Sequence, residues 1–362
     1  MTLRRRAFSA ARRRRRWPPL LVYRWDLDKT YLRTEFDTVR QLLRVPFEGP
    51  EDKVDVPGVV ELIRALKPCA EAAGGTARIY FLSASPPQIG KVIRAKLALD
   101  AVPLDGIVFK DQLHYLVRGK FNKLREQVGF KLAELFRSRH ALPADAEEVL
   151  FGDDGESDAI TYSVYADTLA GRMDLAGLRA VLNRVRVDSR VAEEVLTLAS
   201  TVTPADAVRR IFVNLDRRTP PVSFHRLGER VVPTFNYLQT AAVLYADGYI
   251  DLAAVVRVAR SLVEGAGYTA ERLANSLADL GRRGHVGAAG ERTIRAQLAQ
   301  AGLLPPSFGD RRGERWRLRA REGLRMLRGR FRRRTEAPAG EPLDYQAVLD
   351  DFEDARRLRR AE

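Results

Sequence analysis

Hydrophobic positions change their period along the chain, and the change divides it. From Leu20 to about Val187, short apolar runs alternate with segments whose apolar residues recur every three or four positions. The runs at Leu21 to Trp25, Ala77 to Leu82, Ile107 to Phe109 and Glu148 to Phe151 predict strands. Gly58 to Leu66, Pro87 to Leu99 and Phe130 to Ser138 predict helices between them. Strand and helix in alternation predict an α/β fold, a Rossmann-like parallel sheet with helices on its faces. In such sheets the ligand lies beyond the carboxyl ends of the strands, so the residues that follow each strand are the ones to read for chemistry.

Beyond about Val191 the pattern predicts helices only, as far as Leu304. Thr203 and Pro204 read as a helix start, and Thr269 as a capping residue. The expected organisation is a basic arm over 1–19, an α/β domain over 20–188, a smaller all-α domain over 189–305 and a tail over 306–362. Within the tail, Trp316, Ala320, Leu324, Leu327 and Phe331 form one stripe on an otherwise Arg-rich helix. That pattern suits an anionic membrane surface, and equally an Arg-rich helix packed on its own protein by the stripe. Asp344 to Glu362 predicts a last helix that folds against this arm.

Charge sharpens the division. The 362 residues carry 62 Lys and Arg against 47 Asp and Glu, a net +15. Residues 1–20 hold eight Arg and no acid, and residues 311–334 hold twelve Arg against Glu314 and Glu322. Together these stretches carry +18, so the rest of the chain is −3. The arm lacks the apolar stretch of a signal peptide, and no window is apolar enough to span a bilayer. The expectation is a cytoplasmic protein, peripheral at the inner membrane surface. Cys69 is the single cysteine, which excludes an intramolecular disulfide and a multi-cysteine zinc site. The four histidines are too scattered for a metal pair, so a metal would take oxygen ligands.

Four stretches hold candidate chemistry. Asp26 and Asp28 follow the first strand two residues apart, a spacing that lets one carboxylate attack phosphorus while the other handles a proton; Thr30 closes the motif. Ser83 ends the second strand, where a hydroxyl and backbone amides can hold a phosphate oxygen or simply cap the next helix. Lys131 opens the helix before the fourth strand, as a point cation or an ordinary surface lysine. Asp153, Asp154, Glu156 and Asp158 crowd the glycine-containing loop after that strand. Their mutual repulsion is relieved most simply by a cation, though the spacing lacks the register of a calcium-binding EF-hand.

Taken in order, Asp-x-Asp-x-Thr, strand-end Ser, Lys and Gly-Asp-x-x-x-x-Asp resemble the four-motif signature of the haloacid dehalogenase superfamily. Phe81 to Pro86, Phe130-Lys131 and Gly152 to Tyr162 are similar, within it, to the catalytic domain of actin-patch-type phosphatidate phosphatases, relatives of the lipins. Val56 to Leu62 adds that family's Pro-Gly entry to its first long helix. The likeness covers about residues 20–170. It departs at Lys29, where an acid is more usual, and at Asp154, commonly a serine. Intervals of about fifty residues between the motifs leave little room for a large cap, and the resemblance implies a set of roles. Asp26 would attack phosphorus, and Asp28 would protonate the leaving group and then activate water. Asp26, Asp153 and the Asp28 carbonyl would hold Mg2+. Ser83 and Lys131 would bind the phosphate, Asp158 would steer Lys131, and Thr30 would shape the loop. It also implies a phosphorylated lipid, phosphatidate, as substrate. Two alternatives stand beside it: a phosphatase for a soluble or macromolecular phosphate, such as a nucleic-acid end, and a non-catalytic membrane-docking module.

Overall fold

The run Leu20–Asp26 is buried at all seven positions, which a strand reaches when both faces of its sheet are covered. A computed structural model describes residues 17–32, 54–83, 90–109, 123–155, 157–305 and 343–352, the side chains of 123–126 excepted. Among these residues the strands are β1 (Leu20–Asp26), β2 (Thr76–Ser83), β3 (Gly106–Phe109), β4 (Glu147–Asp153), β5 (Val208–Asn214) and β6 (Val231–Thr234). They form one six-stranded sheet in the order β3-β2-β1-β4-β5-β6. Every pairing is parallel, so all the carboxyl ends share one edge.

The helices are α1 (Val59–Ala72), α2 (Gly90–Leu99), α3 (Lys123–Arg139), α4 (Asp158–Leu169), α5 (Leu175–Val185), α6 (Ser189–Thr201), α7 (Tyr237–Asp247), α8 (Leu252–Ala266), α9 (Ala270–Arg282) and α10 (Ala288–Gln300), with α11 over 345–352. Strand alternation sorts them into two layers. Tyr23, Trp25, Val149, Phe151 and Phe212 pack with α1, α7, α8, α9 and α10. Leu82, Leu150, Ile211 and Val213 face the other way and pack with α3, α4, α5, α6 and α11. Trp25, Phe151 and Phe212 are register partners on β1, β4 and β5. Their rings stack, with centroids 3.7 and 5.2 Å apart. The stack stands immediately behind the strand ends and fixes where they stop relative to one another.

The expectation of an all-α segment over 189–305 is corrected by β5 and β6, which extend the sheet past β4. Arg209 and Arg210 interrupt the apolar run of β5 and hid it; each is paired, with Glu147 at 2.8 Å and Asp247 at 2.7 Å. β6 is four residues long and contains Pro233, which an edge strand tolerates because one side needs no ladder donor. Thr203 and Pro204 start no helix but lie between α6 and β5, whereas Thr269 caps α9, accepting from the Arg272 amide at 3.3 Å. In α11, Tyr345, Val348 and Leu349 are buried in the layer of α4 and α5. Tyr345 also donates to Asp167 at 2.7 Å. Any contact of this helix with the Arg-rich tail, and residues 1–16 of the basic arm, lie outside the described residues. No described helix is long and apolar enough to cross a membrane.

A buried ion network ties α3 to the sheet. Glu148, fully buried on β4, accepts from Arg24 of β1 at 2.5 Å, from Arg139 of α3 at 3.3 Å and from the Tyr165 hydroxyl of α4 at 2.8 Å. Arg24 reaches on to Ser138 of α3 at 2.7 Å. Removing one partner of such a network leaves a buried charge uncompensated, a loss of about 3–5 kcal/mol.

His285, in the turn between α9 and α10, makes stability depend on pH. Burial first, then the positive charges of Arg283 and Arg210, lower its pKa from 6.5 to about 4, against the opposing pull of Asp279. Between those values the unfolded chain carries a proton that the folded one refuses, so stability falls as pH drops through the window. From pH 7 to pH 5 the loss is about 2 kcal/mol. Urea unfolding at the two pH values should read it, and His285→Gln should flatten the difference.

Candidate active site

Parallel pairing sets the ends of β2, β1, β4 and β5 side by side. Asp26 is the register partner of Leu82, one residue before Ser83, and Asp153 is the partner of Asn214. Asp26, Ser83 and Asp153 are each buried. The next carboxylate, Asp158, opens α4 and turns back towards the sheet, where its Oδ2 accepts from the Asp153 amide at 3.3 Å. Gly152 permits this approach: a Cβ there would overlap the Asp158 carboxylate. Asp153 in turn accepts from the Gly155 amide.

Into this group α3 delivers one cation. Lys131 is fully buried, with Nζ 2.8 Å from Asp26 Oδ1 and 2.5 Å from Asp158 Oδ1. Asp26, Asp153 and Asp158 offer carboxylate oxygens that all lie within 4.8 Å of one another. Four residues from three separate stretches of sequence therefore meet at one point. Three carboxylates and the Lys131 ammonium meet there, with the Arg217 side chain beside Asp153. All the donors in the group are hard oxygens, and a divalent cation of the magnesium class fits such a set. Asp158 is the member of this group that the sequence reading kept out of the ligand set, and its Oδ1 is already engaged by Lys131.

The loop after β1 is held from the half of the chain beyond the expected domain boundary. Lys29 is buried and adopts a left-handed φ of 60°. Its amide donates to the Leu32 carbonyl at 2.7 Å. Asn214 at the end of β5 donates to the Lys29 carbonyl at 2.8 Å, and the Tyr237 hydroxyl donates to the Thr30 carbonyl at 2.6 Å. Burial first, and then the charges of Asp26 and Asp153, push the Tyr237 phenol well up, so it stays a donor. Thr30 is buried, and its Oγ1 has no hydrogen-bond partner among the described residues. Asp28 is half-buried and forms a backbone bridge with Leu32.

Asp154 points away from the carboxylate cluster. Its two oxygens accept from the amides of Arg217 and Thr219, each at 2.8 Å, and so hold the loop after β5. The Arg217 side chain consequently lies against Gly155, beside Asp153. Asn214, Arg217 and Tyr237 lie in a segment whose pattern predicts helices only, so the sequence does not single them out. The signal was the run Ile211 to Val213 ending in a polar residue, as the earlier strands do.

Comparison with known proteins agrees with this geometry. Residues 25–180 match the family model described as phosphatidate phosphatase APP1, catalytic domain. The match runs from the end of β1 through α4 and into α5, covers less than half of the chain and leaves out β5 and β6. No curated protein and no solved structure matches the chain. The chain is thus a phosphatase enzyme, similar over residues 25–180 to the catalytic domain of a phosphatidate phosphatase.

Proposed function

We propose that the chain is a Mg2+-dependent phosphomonoesterase of the haloacid dehalogenase type that acts on phosphatidate through an aspartyl-phosphate. The observation that carries the reading is Lys131, buried between Asp26 and Asp158 with Asp153 alongside. A lysine so placed orients the Asp26 carboxylate and supplies positive charge where a phosphate would approach. The similarity of residues 25–180 to a phosphatidate phosphatase domain supports the lipid substrate.

In this reading Asp26 attacks phosphorus and the bond to the leaving oxygen breaks, with Asp28 passing its proton to the departing alkoxide. Asp28, now a carboxylate, then takes a proton from water as that water attacks the phosphorus of the aspartyl-phosphate. Inorganic phosphate leaves and Asp26 is regenerated. Asp26, Asp153 and the Asp28 carbonyl would hold Mg2+, which when bound offsets charge on the phosphate oxygens. Ser83 binds a phosphate oxygen from the end of β2, and Asp158 keeps Lys131 in place. Asn214 and Tyr237 keep the β1 loop in shape by holding its carbonyls.

Phosphate release from p-nitrophenyl phosphate and from phosphatidate in detergent micelles tests this directly. Both should be hydrolysed with Mg2+, and chelation should reduce turnover by about 100-fold or more, restored by Mg2+. Hydrolysis of the small ester but not of phosphatidate would transfer the reading to a soluble phosphate. Turnover indifferent to chelation would contradict the metal assignment.

A further inference from the structure

Beyond the ends of β5 and β6 the structure carries an open cleft of 410 Å³ with polar and apolar walls, lined in part by Arg218, Arg272, Arg282 and Asn275. We propose that it holds a second phosphate group, in addition to the one that is cleaved. The proposal rests on the reading of the neighbouring site as a phosphomonoesterase.

Charge supports it first. Three guanidinium groups line the cleft against one carboxylate, Asp279. That carboxylate is shared with Arg283 at 2.8 Å and Gln239 at 3.1 Å, as well as with Arg282 at 3.4 Å. Arg218 and Arg272 have no carboxylate partner among the described residues. The Arg272 guanidinium lies 4.0 Å above the Tyr268 ring. Guanidinium forks and a side-chain amide lining one open space match the oxygens of a phosphate.

Position supports it next. The cleft and the carboxylate cluster share a wall, the loop after β5. Asp154 fixes the amides of Arg217 and Thr219 in that loop. Between them Arg218 adopts a left-handed φ of 56°, a conformation disfavoured in a non-glycine residue. Arg217 is thereby set beside Asp153 and Arg218 in the cleft. At the rim, Phe235 is 42% exposed, where it can enter the headgroup layer of a lipid surface. The second phosphate is therefore that of a neighbouring anionic headgroup or a free phosphate group.

Two measurements on the full chain separate these sources, comparing the native protein with Arg272→Ala/Arg282→Ala. Both positions lie on the exposed face of α9, where alanine favours the helix. In detergent micelles with phosphatidate at fixed mole fraction, replacing phosphatidylcholine by phosphatidylglycerol should lower the KM of the native protein about fivefold. The same exchange should lower the variant's KM distinctly less, by whatever the Arg-rich ends alone contribute, while p-nitrophenyl phosphate still reports on the reacting centre. In calorimetric titration with inorganic phosphate, a free-phosphate source predicts two sites in the native chain and one in the variant. Either difference supports the cleft and identifies its ligand, and Arg272→Lys/Arg282→Lys, which keeps the charge and loses the fork, should restore it only in part. The Arg-rich ends are the same in all three proteins. An equal phosphatidylglycerol effect in native and variant, with equal phosphate stoichiometry, would therefore overturn the proposal. A chain that hydrolyses no phosphomonoester would overturn the reading of the reacting centre instead, and the phosphate titration would still read the cleft.

Discussion

Asp26→Asn should lower phosphate release from p-nitrophenyl phosphate by about 1000-fold or more, which corresponds to at least about 4 kcal/mol of lost transition-state stabilisation. An amide is close in shape to the carboxylate but is a poor nucleophile and a poor metal ligand. The substitution also removes one of three clustered buried carboxylates while leaving Lys131 its ion pair with Asp158. The variant should therefore fold at least as well as the native chain, and its thermal midpoint should stay the same or rise. Loss of turnover with an undiminished midpoint separates the chemical role from a structural one. Native turnover in this variant would remove Asp26 from the mechanism.

Lys131→Met should behave differently because it harms both folding and turnover. The ammonium stands between Asp26 and Asp158, all three side chains being 0 or 1% exposed. Methionine keeps the length and apolar stem of the side chain but leaves two carboxylates buried with no cation between them. Breaking a buried pair in this way costs about 3–5 kcal/mol, and urea unfolding in chelator should show it. Added Mg2+ should recover part of the loss, since a dication relieves the same repulsion. Turnover should fall by about 100-fold even in saturating Mg2+, because positive charge next to the attacked phosphate is gone. An unchanged unfolding midpoint would mean that the lysine does not sit between these carboxylates in solution.

The first four strands were legible because each is a short apolar run bounded by turns, and β1 and β4 are buried on both faces. Reading the residues after those runs led to Asp26, Ser83 and Asp153, because parallel strands bring their carboxyl ends to one edge. Lys131 was harder, since nothing in a helical lysine distinguishes a buried cation from a solvated one. Its neighbour in the order of motifs was the only local hint. The strands β5 and β6 were not legible. Two arginines broke the run of β5, their charges being cancelled by Glu147 and Asp247 on other elements. Four residues with a proline gave β6 no period to detect. With β5 misread, Asn214 and Tyr237 were missed, although they hold the carbonyls of Lys29 and Thr30. Asp154 belongs to the acidic loop in the sequence, but its orientation towards the amides of Arg217 and Thr219 depends on β5 and is not legible from the loop alone.

The central claim is that Asp26 itself becomes phosphorylated. Asp28→Asn should accept the phosphoryl group and release it slowly, since the residue proposed to activate water is lost. Mixing this variant with p-nitrophenyl phosphate and Mg2+, quenching in acid and weighing the peptides by mass spectrometry tests the claim most directly. The account predicts a phosphoryl group on the peptide containing Asp26, localised to that aspartate and missing when Asp26 is also replaced by Asn. A stoichiometric burst of p-nitrophenol with no phosphoryl group on that peptide, or with one on a different residue, would contradict it.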